Sequence, residues 1–99
     1  MILVFGSINL DLIFDMEALP APGETLLARG MRTEQGGKGA NQAVAAARDG
    51  AEVALYGAVG QDSFANPAQA GLESAGVDVW GIDAIPGATG VASIVTDKS

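Results

Sequence analysis

An α/β fold is predicted for this 99-residue chain: a central sheet with flanking helices plus a small second sheet. Three observations predict it. Apolar runs that end in glycine alternate with helical segments through the middle of the chain, the pattern of a sheet joined by right-handed crossovers. The first run, Ile2 to Phe5 before Gly6, is continuous rather than alternating, as in a strand buried on both faces. Strand-like stretches near 12–33 and 91–96 are surplus to a simple crossover and call for the second sheet.

Taken in order, Leu12 to Phe14 either extend the first strand or begin another. Leu19-Pro20-Ala21-Pro22-Gly23 is a turn, because two prolines and a glycine forbid regular pairing. Glu24 to Thr33 reads as a short strand whose Arg29 and Arg32 suit an exposed edge. Gly36-Gly37-Lys38-Gly39 reads as a flexible loop, and Ala40 to Asp49 as a helix rich in alanine, closed by Gly50 at a left-handed C-cap. Glu52 to Val59 is the next buried strand. Asp62-Ser63 can start a helical turn, but Pro67 fits best as the first residue of a helix capped by Asn66 and ending at Gly76. Val77 to Ile85 and Val91 to Thr96 are strands separated by Pro86-Gly87. Asp97-Lys98-Ser99 reads as the start of a turn rather than the end of a domain. Tyr56, Phe64 and Trp80 are expected as core or interface aromatics, and Asp62 as a cap.

Composition narrows the function. Twelve acidic residues against five basic ones give a net charge of −7, which disfavours nucleic acid and anionic membrane surfaces as partners. Without cysteine or histidine there is no disulfide framework, no thiolate chemistry and little metal-ligand choice, as suits a cytoplasmic protein. The apolar N-terminus lacks a basic leader and is interrupted by Asp11 and Asp15, so it is not a signal peptide. No stretch approaches the ~20 apolar residues of a membrane span.

Two motifs carry polar chemistry. Asn9 and Asp11 follow Gly6-Ser7 at the end of the first strand, and their spacing by two puts both on one side, with Ile8, Leu10 and Leu12 on the other. A carboxamide and a carboxylate together supply the donors and acceptors that a polyol needs, although such residues also stabilise turns. GGKGANQA, Gly36 to Ala43, joins glycines that admit a ligand to the main chain with a helix N-terminus, Lys38 and Asn41. It is not a Walker A loop, since Gly39 follows Lys38, nor a dinucleotide fingerprint, since Gln42 stands at the third glycine. A flexible loop capping the helix is the plainer alternative.

Together these segments resemble the ribokinase-like, or PfkB-type, carbohydrate kinases. GSINLD at 6–11, PGET at 22–25, GGKGANQAVAAAR at 36–48 and GQDSF at 60–64 carry the resemblance, with Gly50 and Gly60 at the family's glycine spacing. It covers essentially the whole chain and is closest to the ribokinases. The resemblance implies that Asn9, Asp11, Gly37, Lys38 and Asn41 contact a sugar, most simply ribose. It also implies that the strands near 12–33 and 91–96 form a lid that closes over the sugar and pairs two subunits, with residues 1–99 as the N-terminal part of one domain.

A departure qualifies it. The family's Gly-Ala-Gly-Asp segment, with its catalytic aspartate, does not occur here. The resemblance therefore implies a sugar-binding half of an enzyme that uses ATP, Mg²⁺ and K⁺ held mostly outside these residues, with no catalytic group in this chain and no activity in the isolated segment. Asp49 and Pro67 also depart from the family's habit, and Asp49 would weaken helix packing if buried. A non-catalytic sugar-binding or dimerising module, or an inactive truncated fragment, is the alternative.

Overall fold

A computed structural model describes residues 1–97, so most of the turn expected at Asp97-Lys98-Ser99 lies outside the described residues. Two three-stranded sheets organise the chain. The first has the order β1 (Ile2–Phe5), β4 (Val53–Val59), β5 (Ile82–Ala84), with all neighbours parallel. The second has β2 (Asn9–Asp15) at its centre, antiparallel to β3 (Gly30–Gly36) and parallel to β6 (Gly90–Thr96). Helices α1 (Lys38–Arg48) and α2 (Ala65–Ser74) pack on these sheets and on each other.

Both helices end as their sequences dictate. Gly50 and Gly76 take left-handed backbones, φ 94° and 90°, that a side chain would strain. Around each, paired N–H donations to the last turn form a Schellman closure: Gly50 to Ala47 and Ala51 to Ala46, then Gly76 to Glu73 and Val77 to Leu72. Ala40, Ala43 and Val44 of α1 and Ala68 and Leu72 of α2 bury against Val53, Leu55 and Val59, with Ile8 and Leu10 completing the cluster. Alanine's small side chain lets α1 lie close to the strands.

Several expectations are corrected. α2 begins at Ala65, not Pro67, and Asn66 does not cap it. Proline is tolerated as the third residue because the first N–H groups of a helix have no partner within it. Glu24 to Arg29 form no strand; the pairing starts at Gly30, while Arg29 turns back to hold Asp15 at 2.8 Å and Glu17 at 2.9 Å. Of Val77 to Ile85, only Ile82–Ala84 is strand. Asp49 is exposed and costs the helix no packing.

β1 is not buried on both faces. It is an edge strand, and the helices cover only the side of Val4, Val53 and Leu55. Leu3 and Phe5 are 54% and 76% exposed, and Phe5 stacks on its register partner Tyr56 with ring centroids 5.0 Å apart. No described element covers this side. Trp80, 84% exposed, is likewise not a core residue.

Candidate functional site

The polar site forms where the chain passes from the first sheet to the second. After β1, Gly6 and Ser7 cross the N-terminus of α1 with backbone touching backbone: a Cβ on Gly39 would stand 2.6 Å from Gly6 Cα. Only glycine at both positions allows that approach. Ser7 then closes the helix end. Its hydroxyl accepts the N–H of Lys38 at 3.1 Å, and its carbonyl accepts the N–H of Ala40 at 3.1 Å. Two of the first-turn donors expected to face a ligand are therefore already used. Gly36 to Gly39 is not a flexible loop either: Gly36 ends β3, Gly37 occupies the N-cap position, and Lys38 opens α1.

Asn9 and Asp11 do not sit at the end of the first strand. Gly6-Ser7 breaks it, and both residues open β2, the central strand of the second sheet. Their alternation holds: Ile8 and Leu10 are buried in the core, while Asn9 and Asp11 are half-buried on the opposite face. Glycines flank them on the neighbouring strands. Asn9 pairs with Gly36 of β3 and Gly90 of β6, and a Cβ on Gly90 would lie 2.6 Å from Asn9 Oδ1. A Cβ on Gly36 would lie 2.5 Å from Asp11 Oδ1. Gly37, with φ 95°, has no room for a side chain, since its Cβ would meet Ser7 O at 2.5 Å and Asn9 N at 3.1 Å.

Asn9, Asp11 and Gly37 are thus brought together around bare backbone. Lys38 and Asn41 stand three residues apart on the first turn of α1, a spacing that shares one helix face, and both are exposed. The Lys38 ammonium makes no ion pair among the described residues. A carboxylate and a carboxamide on one strand face can accept from and donate to several hydroxyls of one small molecule.

Sequence reasoning missed Ser7 and Gly90, because each matters through a residue distant in the chain, and it singled out Gly36 as a loop glycine without its contact with Asp11. It placed Asp62 as a cap, and Asp62 does accept the N–H of Phe64 at 3.2 Å. Its larger role is across the chain, where it accepts the Thr89 hydroxyl at 2.7 Å and the Thr89 N–H at 2.8 Å. The Thr89 hydroxyl and N–H hold the Asp62 carboxyl below the usual carboxylate range.

A separate cavity of about 530 Å³ opens between β3 and the helices, lined by Thr33, Gln35, Arg48, Pro67 and Ser74 among others. Gln35 alternates with Gly36 along β3 and so points to the other face of the sheet from Asp11. Among the described residues no three acidic side chains are grouped where they could hold a metal ion.

The pfkB family carbohydrate kinase model matches residues 1–99. A ribokinase of Haemophilus influenzae is 41% identical over 97 residues, which is 97% of this chain and 32% of that protein. A deoxyribokinase of Salmonella typhi is 43% identical over 99 residues, 99% of this chain and 32% of its own length. The structure of Arabidopsis thaliana ribokinase complexed with ribose and ATP superposes with a TM-score of 0.85 at 31% identity, covering 99% of this chain and 32% of that one. The chain spans about a third of the length of the curated relatives it matches. It belongs to the pfkB family of carbohydrate kinases.

Proposed function

We propose that residues 1–99 are the sugar-binding part of an ATP-dependent kinase that phosphorylates a hydroxyl of ribose or a closely related pentose. The observation that carries this reading is the placing of Asn9 and Asp11 on one face of β2 between the bare backbones of Gly36 and Gly90. Asp11 accepts sugar hydroxyls, Asn9 donates and accepts, and Gly37 lets the sugar approach the main chain. Lys38 and Asn41 close the ring of contacts from the first turn of α1. A relative solved with ribose and ATP supports both the substrate class and the nucleotide, and the deoxyribokinase relative keeps deoxyribose among the sugars to test.

In this reading the base and the nucleotide pocket lie outside these residues, together with Mg²⁺ and K⁺. Phosphoryl transfer needs all of them positioned at once, so the 99-residue segment alone has no turnover. The second sheet serves as a lid over the sugar and as the face that pairs two subunits, and the enzyme works in the cytoplasm on small molecules. A coupled kinase assay tests the reading by comparing the full chain with segment 1–99, each given ATP, Mg²⁺, K⁺ and either ribose or deoxyribose. Turnover by the full chain alone is expected. Sugar binding without turnover in the full chain would favour a non-catalytic module, and turnover by the purified segment would overturn the division of labour.

A further inference from the structure

We infer that Asp62 and Thr89 form a clasp that positions the sugar site, a role that rests on the sugar-binding reading above. The two residues lie 27 positions apart and join the two sheets. Gly60, directly after β4, donates its N–H to the Thr89 hydroxyl at 2.9 Å, and that hydroxyl donates to Asp62 Oδ1 at 2.7 Å. Asp62 Oδ2 accepts the Thr89 N–H at 2.8 Å, so each carboxylate oxygen takes one donor from the same residue. Thr89 is 4% exposed, the one polar side chain among the buried residues described. Gln61 adds a backbone donation to Gly87, and Gly60 has no Cβ to separate it from Gly87 and Thr89.

The consequence reaches the site through one peptide link. Thr89 precedes Gly90, which opens β6, pairs with Asn9 and leaves room for the Asn9 carboxamide. Fixing Thr89 to the end of β4 therefore fixes the wall against which Asn9 rests. Neither Asp62 nor Thr89 is placed among the sugar contacts. They act through Gly90 and Asn9, as positioning residues that hold the second sheet in register with the first.

The test uses the full chain. Thr89→Val keeps the shape of the side chain but removes the hydroxyl that bridges Gly60 and Asp62, while Thr89→Ser keeps it. Thr89→Val loses the donation from Gly60 and the donation to the Asp62 carboxylate, and ribose affinity by calorimetry should fall roughly tenfold, the scale of a hydrogen bond's net contribution, with nucleotide affinity unchanged. Thr89→Ser should restore it. The NMR resonances of the Asn9 side-chain amide should move in Thr89→Val and return in Thr89→Ser. Asp62→Asn, which loses one acceptor, provides the same readout if Thr89→Val does not fold. Asp11→Ala, run in parallel, separates the two claims: loss of ribose binding there with normal binding in the folded clasp variants overturns the clasp alone. Unchanged binding in Asp11→Ala overturns the sugar site and the clasp with it. A clasp variant that is less stable but binds ribose normally, with Asn9 unshifted, would mark the clasp as merely structural.

Discussion

The carboxylate of Asp11 lies over the bare Cα of Gly36 on the neighbouring strand, so close that a methyl group there would stand 2.5 Å from its Oδ1. The relationship couples a loop glycine of the sequence to an acidic residue 25 positions earlier. Gly36→Ala is expected to push the Asp11 side chain aside, weakening sugar binding with only a small loss of stability, because Gly36 lies outside the left-handed region. Calorimetry and thermal unfolding of the same variant check both halves.

Gly37 answers differently. Its φ of 95° and its contact with Ser7 O both exclude a side chain, so Gly37→Val should cost about 1–3 kcal/mol of stability as well as raise the sugar KM. Clash with the protein's own backbone, rather than with the sugar alone, is the cause. Urea unfolding with an unchanged midpoint would contradict it.

Ser7 caps α1 from outside the helix. Ser7→Ala leaves the Lys38 N–H without its acceptor and should cost about 0.5–2 kcal/mol, the range for a lost N-terminal cap. Urea unfolding of this variant reads the loss. Ser7→Thr, which keeps the hydroxyl, should cost less.

The Asp62 carboxyl titrates below its ordinary value because Thr89 donates to it twice. A lowered folded value means that the carboxylate contributes stability above the unfolded value, near pH 4, and loses it as the pH falls through the folded value. The stability gap between wild type and Asp62→Asn should therefore be widest near neutral pH and narrow below about pH 4. Unfolding curves from pH 3 to pH 7 measure it. A gap independent of pH would contradict the assignment.

Local chemistry made part of this structure legible. Alanine content and Gly50 placed α1 and its C-terminus, since both act within a few residues. The surplus of strands indicated a second sheet, and the spacing of Asn9 and Asp11 placed them on one face. What was not legible depends on distant partners. The apparent loop at Gly36–Gly39 is ordered by Ser7, thirty-one residues from Lys38. β3 starts at Gly30 because that is where its register with Asp15 begins, which the run Glu24 to Thr33 does not reveal. The continuous apolar run of β1 read as two buried faces, yet the described elements cover one. The pairing of Gly90 with Asn9 spans most of the chain, and nothing local to Gly90 announces it.

The central claim is that the face carrying Asn9 and Asp11 binds the sugar. Calorimetric titration of ribose into the full chain and into its Asp11→Ala variant tests it most directly. Loss of about 1.5–3 kcal/mol of binding free energy in a variant that unfolds at the wild-type temperature is the predicted result, the cost of removing a charged acceptor. Equal ribose affinity in a folded Asp11→Ala variant would contradict the account.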